Sequence, residues 1–133
     1  MPVVLSAGEW TLMDALWAHP GATLAELTRT LGERAGWKKN TVLVMLERLE
    51  KKGAVRVVQG ERARRYEPAA TRESCAAEES RRFLDRVYDG SVGLFVSAMA
   101  SENALTPGDL DALRRIVREA EEKAADGEEK RDV

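Results

Sequence analysis

The chain has 133 residues, enough for one ordinary domain or a small domain with an appendage. Apolar residues make up 44% and charged ones 33%, with 5% aromatics, a balance that suits a small helical protein better than an all-β sandwich. The net charge is only −2, and one cysteine with one histidine excludes a disulfide framework, a multi-cysteine metal centre and a histidine-rich site. No metal and no cofactor is therefore expected. No run approaches the ~18 apolar residues of a membrane span, and the opening Met-Pro-Val-Val-Leu lacks the basic flank of a secretory signal. The expected location is the cytoplasm, with no membrane insertion.

Helix signals come first along the chain. Ser6 and Glu9 have the spacing of a capping box, and Trp10, Met13, Leu16 and Trp17 follow as one buried stripe. Pro20-Gly21 ends that run. A second box, Thr23 to Glu26, opens a helix with Leu24, Leu27 and Leu31 on one face, and Gly32 and Gly36 bracket its exit. A third helix is predicted from about Lys39 to Lys52, stopping at Gly53, with Lys51 and Lys52 where the macrodipole favours cations. At ~100° per residue, its Val42, Met45, Leu46 and Leu49 cluster as core. Asn40, Val44, Glu47, Arg48 and Lys51 project opposite, a polar and basic face with one small apolar side chain.

The runs on both sides of the turn at Gly60 then read as a hairpin, residues 54–59 returning through 64–68. Three helices followed by a basic hairpin is the order of a winged helix-turn-helix. From about Thr71 the pattern is helical again, with Phe83, Leu84, Val87 and Tyr88 as a stripe and Asp89-Gly90 as a break. Ser91 to Ala100 is short and apolar, too large an exposed patch for a stable monomer surface. Thr106-Pro107-Gly108-Asp109 starts a last amphipathic helix through Leu110, Leu113, Ile116 and Val117. A ~60-residue helical appendage seldom packs alone, and pairing with a second copy is the economical expectation. The predicted organisation is a winged-helix DNA-binding domain over 1–70, a helical dimerisation domain over 71–126 and a charged, disordered tail over 127–133. The fold class is mainly α with a small β-hairpin wing.

Charge along the chain is uneven. Residues 1–36 carry −2, residues 37–66 carry +6 and the remainder −6. A basic segment inside an acidic chain is the footprint of a polyanion-binding surface, although a solvated charged face would look the same. Carboxylate pairs such as Glu78-Glu79 read as solvated helix faces. No phosphate loop, nucleophile elbow or metal motif is present, so an enzyme is not expected.

Three segments carry a resemblance. Thr41-Val42-Leu43, Leu46 through Gly53, and Arg65-Tyr66-Glu67-Pro68 resemble the BlaI/MecI/CopY penicillinase-repressor family. Arg82 through Ser91 and the helix start at Leu105-Thr106-Pro107 look like that family's dimerisation region. The match runs from roughly Leu5 to Lys123. It implies a homodimeric bacterial transcriptional repressor that binds a dyad operator on double-stranded DNA, with β-lactam resistance or stress genes under its control. In the β-lactam branch a membrane-bound sensor protease cuts the dimerisation region; the family's Asn-Phe cleavage dipeptide aligns here with Ala98-Met99, which puts such cleavage in doubt. The copper branch carries paired cysteines near its C-terminus, whereas this chain has only Cys75.

On that reading Lys39, Asn40, Thr41 and Val44 lie closest to base edges, with Asn40 and Thr41 alternatively capping the third helix. Arg48, Lys51, Arg62, Arg64 and Arg65 suit backbone phosphates, and because Arg64 and Arg65 face opposite sides of a strand only one of the two is expected to reach DNA. Phe83, Leu84, Val87, Tyr88 and Leu94 are interface candidates, as are Phe95, Leu110, Leu113 and Ile116; the alternative for each is an ordinary intramolecular core. The tryptophans are read as core or core edge, His19 as a loop residue, and Cys75 as without a redox partner. Two other readings compete: a winged helix used for protein contact, as an anti-repressor or assembly factor without DNA affinity, and a ligand-sensing regulator with a pocket between domains. The +6 stretch argues against the first, and no convergent polar groups support the second.

Overall fold

The computed structural model describes residues 2–131. It contains α1 (Ala7–Ala18), β1 (Ala22–Thr23), α2 (Leu24–Ala35), α3 (Lys39–Lys52), β2 (Val55–Gln59), β3 (Arg64–Pro68), α4 (Arg72–Tyr88), α5 (Val92–Ser101) and α6 (Pro107–Arg131). The chain is mostly helical with a small antiparallel sheet, and it folds as two compact units that divide between Phe83 and Leu84, inside α4.

Local chemistry sets the helix ends. The Ser6 hydroxyl accepts from the Glu9 N–H at 3.3 Å while Glu9 Oε1 accepts from the Ser6 N–H at 2.8 Å, and Thr23 with Glu26 repeats the motif at α2. Each box satisfies two backbone donors that a helix start leaves open. Gly36 and Gly53 end α2 and α3 in the left-handed region, φ 68° and 81°, which a side chain would disfavour. At α3 the Ala54 N–H donates to Leu49 and the Gly53 N–H to Glu50, a Schellman turn, whereas at α2 Gly36 donates to Gly32 and Trp37 to Leu31, and both ends let the chain change direction. Helix α3 therefore leaves α2 at a sharp, fixed corner.

The core of the first unit fills the space between α1, α2, α3 and the sheet. Leu12, Met13 and Leu16 meet Leu27, Leu31, Val42, Leu46 and Leu49, all buried. Each such side chain contributes roughly 1.5–3 kcal/mol on burial. Strand β3 is central, in the order β1-β3-β2, with Val57 opposite Tyr66 and Ala22 on Tyr66's other flank. The short β1 was not legible as a strand; the sheet has three strands where a hairpin of two was expected. Trp10 and Trp17 sit at the core edge, half-buried and edge-on to each other at 5.7 Å. Trp17 donates its indole N–H to the Ala70 carbonyl at 2.9 Å, and the Arg72 guanidinium lies over the Trp10 ring. With Cys75 buried in the same core, the first half of α4 belongs to the first unit, beyond the 70/71 boundary expected from the sequence.

The second unit differs in kind. None of its described residues is buried. Helix α5 is capped by Ser91, whose hydroxyl accepts from the Leu94 N–H at 3.1 Å, and α6 starts with reciprocal bonds between Thr106 and Asp109. Helix α6 continues to Arg131, well into the 127–133 stretch read as a disordered tail; residues 132 and 133 lie outside the described residues. Among the described residues no helix is long and apolar enough to cross a membrane, and no cluster of side chains could hold a metal ion.

Candidate nucleic-acid interface

Helix α3 presents its basic face because its other face is consumed by the core. Val42, Leu46 and Leu49 are buried, Met45 is half-buried, and Asn40, Thr41, Glu47, Arg48 and Lys51 are exposed. Val44 is 47% exposed among them, an apolar side chain left outside on a polar stripe. Asn40, Thr41, Val44 and Arg48 line one shallow depression with Met45, so they form a single surface, as the i, i+4, i+8 spacing requires. The capping alternative for Asn40 and Thr41 does not hold in this geometry. The cap residue of α3 is Lys38, with no side-chain cap bond, and neither Asn40 nor Thr41 makes a side-chain hydrogen bond among the described residues.

The wing adds the second part. Its strands pair from Val55–Pro68 to Gln59–Arg64, and the tip closes with the Gly60 N–H donating to the Ala63 carbonyl at 3.0 Å. Arg62 stands exposed at that tip. Arg64 shares a face of β3 with Tyr66 and borders α3 beside Leu43, Glu47 and Glu50. Arg65 takes the other face, where its Nη1 donates to the Gly21 carbonyl at 2.9 Å and lies 4.0 Å from Glu26 Oε1. The Glu26 carboxyl is held below its ordinary pKa, first by the Thr23 backbone N–H and then by its hydroxyl, with Arg65 a smaller contributor.

The nine basic side chains of residues 37–66 thus sort into two groups. Lys52, Arg56 and Arg65 have acidic partners: Glu9 at 2.6 Å, Glu67 at 3.9 Å and Glu26. Lys38, Lys39, Arg48, Lys51, Arg62 and Arg64 have none among the described residues, and all are exposed. The unpaired set occupies α3's start, its outward face and the wing. Position in the sequence did not separate the groups. Lys51 and Lys52 are neighbours in one helical turn, yet Lys52 turns to the buried Glu9 and to the Val4 carbonyl at 2.8 Å. Burial pushes the Glu9 carboxyl up, but the hydrogen bonds from Lys52 and Ser6 outweigh it, and the net pKa is lowered.

In the second unit the interface candidates are half-buried (Leu84, Tyr88, Phe95, Leu113) or exposed (Val87, Leu94, Leu110, Ile116). Val92 and Val117, exposed at 59% and 53%, are further apolar side chains left outside in this unit. Tyr88 and Phe95 meet edge-on at 5.5 Å, tying the end of α4 to α5. Phe83, half-buried, belongs to the first unit. Ala98 and Met99 are half-buried inside α5, their carbonyls accepting from Glu102 and Ala104. Cys75 is buried, and burial pushes its thiol pKa up against a weaker opposing bond from Ser74.

The penicillinase repressor family model matches residues 5–119. A penicillinase repressor of Bacillus licheniformis is 27% identical over 115 residues, 86% of this chain and 90% of that protein. A Staphylococcus aureus penicillinase repressor is 21% identical over 121 residues, 91% of this chain and 96% of that protein. The solution structure of monomeric Bacillus licheniformis BlaI in complex with the blaP half-operator aligns at 28% identity and a TM-score of 0.48, over 53% of this chain and 85% of that one. With the family model spanning most of its length, the chain belongs to the penicillinase repressor family and is a winged-helix transcriptional repressor, not an enzyme.

Proposed function

We propose that this chain is a homodimeric bacterial repressor acting in the cytoplasm, in which residues up to about Phe83 bind a dyad operator and α5, α6 and the end of α4 join two copies. The observation that carries the DNA reading is the sorting of the basic side chains. Carboxylates of the same chain lie within 4.0 Å of three of the nine, and the six left over lie on α3, its N-cap and the wing. Charges left unpaired on one element and its neighbouring wing are what a polyanion would complete.

In this reading Lys39, Asn40, Thr41 and Val44 approach base edges in the major groove, with Val44 against a thymine methyl. Arg48, Lys51, Arg62 and Arg64 hold phosphates, which supply affinity more than sequence choice. Arg65 acts inside the protein, tethering β3 to the turn before α2 and so fixing the wing's angle. The dimer reading rests on the second unit having no buried residue among those described, together with its exposed valines, leucines and isoleucine. Two half-sites about one helical turn apart, or a multiple, would each take one α3, and repression follows from occupying the promoter.

The family's name suggests β-lactam resistance genes as targets, with stress genes the broader class. A membrane-bound sensor protease is the inducing partner implied by the β-lactam branch; here the aligned Ala98-Met99 bond is helical and half-buried, so cutting requires α5 to open first. A mobility-shift titration with the duplex upstream of the chain's own gene, against unrelated DNA of equal length, tests the proposal. Tighter binding to the upstream duplex is the expected result. No retardation of either duplex at low salt would overturn it in favour of a protein-contact module.

A further inference from the structure

We infer that the groove between α2, α3 and the wing is a binding site for a small monoanionic organic acid with a flat or branched apolar body, whose occupancy competes with operator DNA. The groove encloses about 710 Å³, inside the ~300–1,000 Å³ range of small-molecule sites. Its walls are Leu24, Ala25, Leu43, Ala63 and the Tyr66 ring, and its polar groups are Thr23, Thr28, Arg29, Lys39 and Arg64. No acidic side chain lines it. Three cations line an apolar hollow that holds no carboxylate itself, with Glu26 near Arg29 and Glu47 and Glu50 near Arg64 outside it and none of them within ion-pair distance of these cations, a pattern that favours an anion over a cationic ligand.

Two further details fit such a ligand. Arg29, Lys39 and Arg64 form no ion pair among the described residues, so none must be released to accept a carboxylate. The Tyr66 hydroxyl makes no hydrogen bond among the described residues, although only 6% of the residue is exposed, and it is not sealed from solvent. It is available as a neutral donor beside the cations, whereas the Thr28 hydroxyl is already committed to the Leu24 carbonyl at 2.7 Å. The groove lies wholly within the first unit and needs no partner.

The competition part rests on the operator-binding reading above. Lys39 and Arg64 serve both sites, and a carboxylate between them neutralises charge that DNA phosphates would otherwise meet. By reciprocity, DNA must then weaken the acid to the same extent. The acid would be an inducer independent of proteolysis.

The probe is 2-naphthoate, with uncharged 2-naphthalenemethanol as the control, added to the full chain while methyl resonances of Leu24, Ala25, Leu43 and Ala63 are followed by NMR. Saturable shifts confined to these methyls are expected with naphthoate, at least about tenfold tighter than with the alcohol. Arg64→Gln should weaken naphthoate several-fold, and Ala25→Trp, which fills the outer wall from an exposed position, should abolish the shifts with helicity unchanged. At saturation naphthoate should lower operator affinity about tenfold, and not in Ala25→Trp. Absence of methyl shifts up to the solubility limit overturns the site even if DNA binds. Equal binding of acid and alcohol overturns the anion assignment, and full operator affinity with the groove occupied overturns the competition. Methyl shifts in a protein that fails to retard DNA would leave the site standing and refute the operator reading instead.

Discussion

Replacing Leu94 and Ile116 together by serine isolates the contribution of the second unit's exposed apolar side chains. Leu94 is 57% and Ile116 54% exposed in the single chain, so more than half of each side chain lies outside its own protomer's packing. Full burial of such a side chain is worth ~1.5–3 kcal/mol, and with half still in water each has about 1 kcal/mol left to gain against a partner. A two-fold interface uses every residue twice. The double substitution therefore costs the dimer about 4 kcal/mol, or about three orders of magnitude in dissociation constant. Sedimentation equilibrium from nanomolar to high micromolar concentration reads that change directly. All three tryptophans lie in the first unit, so their emission and thermal transition report independently that the winged helix is intact. Operator affinity should fall with the dimer, since the second half-site loses its effective concentration. A dissociation constant equal to wild type, or a wild-type chain that is monomeric at micromolar concentration, would refute the assignment.

Other substitutions probe the first unit. Lys52→Met leaves the Glu9 carboxylate, 2% exposed and with Oε2 already unpartnered, without its cation. The expected loss is about 2 kcal/mol, below the roughly 3–5 of a sealed pair because water reaches the Lys52 end; an unchanged denaturation midpoint would contradict it. Because the Glu9 pKa is lowered on folding, its contribution is present above the ordinary glutamate range and fades as pH falls from about 5 downward. Glu9→Gln should flatten that acid limb of the stability profile, and an identical limb would assign it to other groups. Val44→Ser should reduce discrimination at one A·T position by about 1 kcal/mol while leaving binding to random DNA unchanged, as measured by competition with single-base operator variants. Cys75, buried and with its thiol pKa raised, should resist a thiol reagent until the chain unfolds; modification of the native protein within minutes would show that this core opens easily.

Helix ends and faces were legible in the sequence because their causes are local. Ser6 with Glu9, Thr23 with Glu26 and Thr106 with Asp109 each place donor and acceptor three residues apart, and Gly53 stops α3 where predicted. The outward stripe of α3 was legible for the same reason. What escaped depended on residues far apart in sequence. Strand β1 exists because Ala22 and Thr23 meet Tyr66 and Arg65, and nothing in the residues around position 22 announces it. Glu9 reads as a surface capping residue, and its burial against Lys52 requires knowing that α1 crosses the end of α3. Arg65 was grouped with the wing's DNA-facing charges, whereas Gly21 and Glu26 occupy it; strand alternation flagged that only one of Arg64 and Arg65 was free, but not which. Arg29, which joins Lys39 and Arg64 around one groove, carried no signal at all.

The distinction between occupied and unoccupied cations is the centre of the account, and salt dependence measures it. If each protomer meets ~4 phosphates, the dimer's log affinity should fall against log salt with a slope of about −7. Arg48→Ala with Arg62→Ala removes two contacts per protomer, and the slope should flatten to about −3.6. Anisotropy titrations of wild type and variant across a fourfold range of salt, on the same operator duplex, give both slopes. Parallel lines for the two proteins would mean that these side chains do not meet the DNA backbone.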